Sequence, residues 1–257
     1  MLKITRQAVY QYQQRRQSER AQECELLPRI HALRHLMPRV GTRKLKEHLG
    51  DTGPGRDKLF EILRQHGLLV KRRRKYAITT NSSHLLPVYP NLLPETVANA
   101  PNRVWVADQT YIRLKSGFCY LSLVTDLCSR KIVGFDVHPT LHTTGPLNAL
   151  QMALSDTEST LGLIHHSDRG TQYCSSDYIE QLTNNGIRIS MTDRRRPDQN
   201  AVAERVNGIL KTEFYLDTTF NSLDEAIRAI WRSIYIYNNI RLHLSLGMET
   251  PRVKHVA

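Results

Sequence analysis

The feature that most constrains how this chain folds is a change of hydrophobic period just past residue 103. Val104-Trp105-Val106-Ala107-Asp108-Gln109-Thr110-Tyr111-Ile112 is β-branched and aromatic. A second such run covers Phe118 to Val124 after a turn at Ser116-Gly117, and a third covers Lys131 to Val137 after Cys128-Ser129-Arg130. Connections this short join neighbouring strands only in antiparallel fashion, so the three runs predict a meander. Strand and helix signals then alternate: a helix around Leu147 to Leu154, a buried strand from Leu161 to His165, a helix from Ser176 to Asn184 and a strand from Ile187 to Met191. Alternation of that kind is the mark of parallel strands with crossover helices. The chain ends in helices, clearest over Asn200 to Lys211 and Leu223 to Tyr237.

The first hundred residues read differently. Met1 to about Gln22 predicts a helix rich in Gln and Arg with few apolar positions (Val9, Tyr10, Tyr12), which needs a partner to be stable. From Cys24 to Leu36 the residues Leu26, Leu27, Ile30, Leu33 and Leu36 recur at helical spacing, and Pro38 closes that helix. Thr42 caps a short helix ending at Gly50. After the turn Asp51-Thr52-Gly53-Pro54-Gly55, Arg56 to His66 sets Leu59, Phe60, Ile62 and Leu63 on one face and Arg56, Asp57, Lys58, Glu61 and Arg64 on the other. Two short helices about a glycine-bearing turn predict a helix-turn-helix, with Arg56 and Lys58 placed to meet DNA from the second helix. Lys71-Arg72-Arg73-Arg74-Lys75 then reads as a phosphate-tracking arm, with Arg72, Arg73 and Arg74 as its contacts.

Charge follows the same division. Residues 1–100 carry 19 Lys and Arg against 8 Asp and Glu, whereas residues 101–257 carry 17 against 16. A basic part that releases counterions from DNA phosphates is thus joined to a nearly neutral part with another task. The predicted organisation is a helical DNA-binding region over 1–75, a linker over 76–100 with Asn81-Ser82-Ser83 and several prolines, and a larger α/β domain over 101–257. No stretch approaches the roughly 20 apolar residues of a membrane span, and the N-terminus lacks a signal peptide's apolar core, so a soluble intracellular protein is expected. The four cysteines, Cys24, Cys119, Cys128 and Cys174, form no C-x-x-C pair, and Cys24 with His31 and His35 lacks a fourth zinc ligand.

Three antiparallel strands followed by parallel strands with crossovers describe a ribonuclease-H-like mixed sheet with flanking helices. In that layout Asp108 lies on the first strand, Asp168 just past the fourth, and Glu204 on the helix after the fifth. If the first and fourth strands are parallel neighbours, the two aspartates meet at one sheet edge, and a helix packed there turns Glu204 toward them. Three carboxylates in one pocket repel unless cations intervene, which predicts bound Mg²⁺ or Mn²⁺. Two such ions suit an in-line phosphoryl transfer. Lys211 lies seven residues after Glu204 on the same helix face, placed for a DNA phosphate, and Asn207 shares that face. Asp126, a rival carboxylate, is expected to bond within its own turn.

The local words are more specific than the spacing. Trp105-Val106-Ala107-Asp108-Gln109-Thr110-Tyr111-Ile112, His166-Ser167-Asp168-Arg169-Gly170-Thr171-Gln172-Tyr173 and Asn200-Ala201-Val202-Ala203-Glu204-Arg205-Val206-Asn207-Gly208-Ile209-Leu210-Lys211 closely resemble segments of DDE transposases related to retroviral integrases, namely the second-frame (OrfB) transposases of the insertion-sequence-three family. Thirty-five residues lie between Asp168 and Glu204, the separation typical of that group. The resemblance continues in Ser129 to Phe135, in Tyr237-Asn238-Asn239-Ile240-Arg241-Leu242-His243 and back to Gly41-Thr42-Arg43-Lys44-Leu45. Two departures stand out: Gln199 replaces the acidic residue usual before the Asn-Ala pair, and Arg194-Arg195-Arg196 fills a loop where small residues are common.

The resemblance implies an integrase core whose metal-binding catalytic triad is Asp108, Asp168 and Glu204. It implies metal-dependent cleavage and strand transfer at insertion-element ends, the terminal inverted repeats and target DNA as partners, and a homo-oligomer that holds the ends together. It also implies an upstream reading frame that supplies further DNA binding and a coiled coil, so that this chain is expected to act as the catalytic part of a fusion. The alternative from another class is a non-catalytic DNA-binding regulator or a decayed copy, which an intact triad argues against.

Overall fold

The computed structural model describes residues 5–71, 86–194 and 196–256. The chain divides into two compact units, Met1–Arg72 and Arg73–Ala257. The predicted DNA contacts Arg72, Arg73 and Arg74 lie outside the described residues, as does Arg195.

In the first unit, α1 runs unbroken from Arg6 to Leu36, where the sequence reads as two helices. The missing break has a simple cause. Residues 18–25 hold good helix formers and no glycine, so nothing interrupts the ladder where the apolar period begins. The Thr5 hydroxyl caps it by accepting from the Ala8 amide at 3.3 Å. Only Leu26 and Ile30 are fully buried, so most of the helix before Leu26 stands in solvent. Helix α2 (Thr42–Leu49) begins with Gly41, not Thr42, at the capping position; Thr42 is instead a buried first-turn residue. Gly50 ends it at φ 63°, a conformation that glycine adopts without strain. Arg29 reaches from α1 to the Leu49 carbonyl at 3.2 Å and to the Thr52 hydroxyl, satisfying the end of α2. Helix α3 (Arg56–Gln65) buries Leu59, Ile62 and Leu63. It stops at Gly67, with the Leu68 amide bonding back to the Leu63 carbonyl at 2.7 Å.

The second unit is the expected mixed sheet. Strands β1 (Val104–Leu114), β2 (Gly117–Asp126) and β3 (Ile132–His138) form the antiparallel meander, and β4 (Ile164–Ser167) and β5 (Arg188–Met191) add in parallel. The order is β3-β2-β1-β4-β5, and the short β6 (Thr219–Phe220) pairs with the far end of β1. Helices α4 (Thr144–Ser155) and α5 (Ser176–Asn184) are the crossovers, followed by α6 (Ala201–Glu213), α7 (Leu223–Asn239) and α8 (Pro251–Val256). No described helix is long and apolar enough to cross a membrane.

Strand alternation sorts the core into two layers. Trp105 and Ala107 pack with Val124, Val133, Ala149, Leu150, Ala153, Tyr178 and Leu182 on one face. Val104, Val106 and Ile164 pack with Ala203 of α6 on the other, beneath Leu92, Leu93 and Ala98. Residues 86–100, read from sequence as linker, therefore cover the sheet. The Leu92 amide also donates to the Ser190 hydroxyl at 2.9 Å, and the Met191 amide to the Pro90 carbonyl at 3.3 Å. An apolar Leu-Leu pair without periodicity gave no sign of this.

The final helices are fastened by polar side chains. Asn238 of α7 accepts from the Ile132 amide at 3.0 Å and donates to the Ile132 carbonyl at 2.9 Å, while the Tyr237 hydroxyl donates to the Arg130 carbonyl at 3.0 Å. Asp126 accepts from the Ser129 amide and hydroxyl and from the Asn102 amide, each at 2.7 Å, and so serves its own turn as expected.

Gly134 on β3 is where sheet and helix come closest. A Cβ there would stand 2.0 Å from the Ala149 carbonyl oxygen and 2.8 Å from the Ala153 nitrogen, both backbone atoms of α4. Gly134→Ala is expected to destabilise the chain by about 3 kcal/mol, the upper part of the overpacking range, because helix backbone yields less than a side chain. Urea denaturation measures it, and an unchanged midpoint would mean that α4 moves away freely.

Candidate active site

The parallel pairing of β1 with β4 aligns Val104 with Ile164, Trp105 with His165 and Val106 with His166. Continuing that register by two residues sets Asp108 level with Asp168. Alternation places Asp108 on the face of Val104 and Val106, which is the face that α6 covers. On α6, Glu204, Asn207 and Lys211 follow at spacings of three and four residues and share a side. The Asn207 amide donates to Asp108 Oδ2 at 2.7 Å, which fixes that side toward β1.

Electrostatics tie the three carboxylates to one site. Burial of the Asp108 carboxylate, then the charge of Asp168 and, less strongly, that of Glu204, push its pKa up to about 7 against bonds from Asn207 and the Gln109 amide. Asp168 Oδ1 accepts from the Gly170 amide at 2.9 Å. Among the described residues, however, no three His, Cys, Asp or Glu side chains close around one point as a metal cluster. The donors themselves suit a divalent cation, since carboxylate oxygens are the hard ligands that Mg²⁺ and Mn²⁺ take. A cation there would also relieve the repulsion that keeps Asp108 partly protonated at neutral pH.

Other sequence-predicted residues fall out as follows. Asn207 is 5% exposed and its amide is used on Asp108, so it is a neighbour of the acid pair, whereas the sequence reading put it against DNA. Lys211 is half-buried with its Nζ 4.3 Å from the centre of the Tyr111 ring. Burial lowers its pKa while Asp108 and Asp217 raise it. Arg56 and Lys58 are exposed on the first turn of α3, where Arg56 pairs with Asp57 at 2.8 Å and Lys58 stands 3.5 Å from Glu19. Arg241 and His243, which fall in one of the resembling segments, are tied to neighbouring side chains. Arg241 makes a bidentate bond to Glu213 at 2.8 and 2.7 Å with 3% exposure, and His243 lies edge-on to Tyr237.

The loop that leads into α6 is held by side chains whose partners the sequence did not show. The Asn200 amide donates to the Ala107 carbonyl at 2.8 Å, next to Asp108. Gln199, one of the two departures, accepts from the Asp193 amide at 2.6 Å and donates to its carboxylate at 2.8 Å, closing the loop as an acidic residue at 199 would not. Arg196 is paired with Asp198 at 3.0 Å. His166 is buried, bonds to the Ser190 hydroxyl at 2.8 Å and has its pKa pushed down to about 4, mainly by burial. Side-chain partners that distant in sequence, such as Asn200 with Ala107, leave no local signal.

Profiles described as Integrase core domain match residues 98–197 and 185–251. The chain is 40% identical to the "Insertion element IS600 uncharacterized 31 kDa protein" of Shigella sonnei, over 96% of this chain and 93% of that protein. It is 33% identical to "Transposase InsF for insertion sequence IS3A" of Escherichia coli K12, over 98% of this chain and 90% of that one. The chain belongs to the IS3 family of transposases. A chain of the simian T-cell lymphotropic virus intasome, solved in complex with PP2A regulatory subunit B56 gamma, superposes with a TM-score of 0.52 at 19% identity, over 89% of this chain and 74% of that chain, a likeness of fold. The transposase is accordingly a polynucleotidyl transferase with an integrase core.

The raised Asp108 pKa makes a prediction about the metal-free transposase. Between pH 4 and 7 the folded chain holds a proton on Asp108 that the unfolded chain has released, so this group costs stability as pH rises through about 7. His165 and His166, held down to about 3 and 4, act in the opposite sense, costing stability as pH falls below about 6.5. Asp108→Asn is therefore expected to raise the thermal midpoint more at pH 8 than at pH 5. An equal effect at both values would show that Asp108 is not held protonated.

Proposed function

We propose that Asp108, Asp168 and Glu204 are the catalytic triad of this transposase and hold one or two Mg²⁺ or Mn²⁺ ions. The observation that carries the reading is the β1–β4 register, which sets Asp108 level with Asp168, together with the Asn207 bond to Asp108, which turns the Glu204 side of α6 toward β1. When bound, the cations supply charge that activates an attacking oxygen and stabilises a leaving one. Glu204, exposed on α6, would be the third ligand.

The chemistry needs no covalent enzyme intermediate. Water attacks a phosphodiester at the element end, the bond to the 3′ oxygen breaks, and the freed 3′-hydroxyl then attacks another phosphodiester, exchanging one such bond for another. Asp108 is held by Asn207 and the Gln109 amide and Asp168 by the Gly170 amide, so both are oriented before DNA arrives. Lys211 meets a phosphate near the site. Arg56, Lys58 and the Arg72-Arg73-Arg74 run engage duplex DNA from the N-terminal region. The partners are terminal inverted repeats and target DNA, held by at least two copies of the chain and joined to the product of an upstream frame.

Strand cleavage and joining on a labelled native element end with Mg²⁺ tests this. Glu204→Ala is expected to lose orders of magnitude in rate while DNA binding persists. Cleavage undiminished in that variant would refute the triad. Lys211→Ala is expected to weaken DNA binding and to reduce the slope of log affinity against log salt by about 1. An unchanged slope would remove Lys211 from the phosphate contacts.

A further inference from the structure

Both ends of the segment that leads into α6 are grounded beside the two aspartates. At its start, the Thr192 amide donates to the Ser167 carbonyl at 3.0 Å, and Arg169 Nε donates to the Thr192 carbonyl at 2.6 Å. Ser167 and Arg169 flank Asp168 in the chain. At its end, the Asn200 side-chain amide donates at 2.8 Å to the carbonyl of Ala107, the residue before Asp108.

Between these ends the chain folds on itself. The Arg196 amide bonds to the Asp193 carbonyl and the Gln199 amide to the Arg196 carbonyl, each at 3.1 Å, which makes two consecutive turns. The Gln199 side chain spans them, accepting from the Asp193 amide at 2.6 Å and donating to the Asp193 carboxylate at 2.8 Å. Residue 193 follows the grounded Thr192, and residue 199 precedes the grounded Asn200. The clasp therefore ties the Asp168 side of the site to the capping residue of α6.

Glu204 depends on that junction. Asn200, Glu204 and Asn207 follow at spacings of four and three residues and share one side of the helix. Asn200 meets β1 at Ala107 and Asn207 meets it at Asp108, with the exposed Glu204 between them. Two points on one strand let a helix end rock about the line that joins them. The clasp adds a third point, reached from the β5 side, and three points fix it.

We propose that Gln199 is a positioning residue: by closing the loop onto Asp193 it sets where Glu204 stands relative to Asp108 and Asp168, and so how tightly the three hold a divalent cation. This rests on the reading of Glu204 as a metal ligand. Both ends of the carboxamide are needed, because a carboxylate at 199 would keep the acceptor but turn a like charge toward Asp193.

An isosteric exchange provides the test. Asp193→Asn combined with Gln199→Glu keeps the net charge, the side-chain lengths and both bonds, with donor and acceptor reversed between the two side chains. Gln199→Ala removes both bonds. Hydrogen exchange over residues 192–200 and Mn²⁺ affinity by calorimetry are measured on the intact chain for the wild type, Gln199→Ala, the double variant and Glu204→Ala. In Gln199→Ala the Asp193 amide is expected to exchange about tenfold faster, and Mn²⁺ to bind about tenfold more weakly. The double variant returns both to the wild-type values. Unchanged exchange in Gln199→Ala, or unchanged Mn²⁺ affinity there while Glu204→Ala loses it, would overturn the role of Gln199 and leave the ligand set standing. A double variant that recovers neither reading would do the same. No uptake by the wild type, or uptake undiminished in Glu204→Ala, would overturn the ligand reading and this proposal together.

Discussion

The parallel contact between β1 and β4 is the constraint on which the rest of the second unit depends. Three aligned residue pairs set the register, and that register brings an aspartate from the middle of a long strand beside one from the end of a short strand 60 residues later. A slip of one residue would send Asp108 to the α4 face, among Trp105, Ala107 and Val124, and away from α6. The alternation of apolar residues along β1 prevents this, because Val104 and Val106 would then have to leave the layer they share with Ala203. The same packing that excludes water from the core thus places the carboxylates.

Placing them is costly. Asp108 sits where its charge is poorly solvated and where two other carboxylates oppose it. The surrounding side chains hold it in place: the Asn207 and Asn200 amides donate to Asp108 and to the carbonyl before it, and His166 is held neutral against Ser190. A site so arranged gives up stability to keep a carboxylate in a buried place.

Much of this was legible in the sequence, for physical reasons that differ by residue. The strands were visible because β-branched runs at short turns have few alternatives, and Asp108, Asp168 and Glu204 stood out because each acid is embedded in a distinctive local word. Helix α1 was read as two because a change of apolar period suggested a break, yet periodicity reports burial and not backbone continuity. Asn207 was placed against DNA because it shares a helix face with Lys211; the sequence has no means of showing that the same face rests on β1. Gln199 looked like a blemish in a familiar pattern, and only its geometry with Asp193 reveals a clasp. Contacts between residues about a hundred positions apart are the part that a single sequence withholds.

The Asn238 side chain has a meaning beyond fastening α7. Strand β3 is the outermost strand of the sheet on its side, and an outer strand offers unpaired amides and carbonyls to any extended peptide that comes near. By taking both the amide and the carbonyl of Ile132, the Asn238 carboxamide imitates one residue of a missing neighbour strand. On the opposite border Pro90 accepts from Met191 in a similar way. With one position on each margin taken by its own side chain or backbone, the sheet is less open there to growing by accretion of a second sheet.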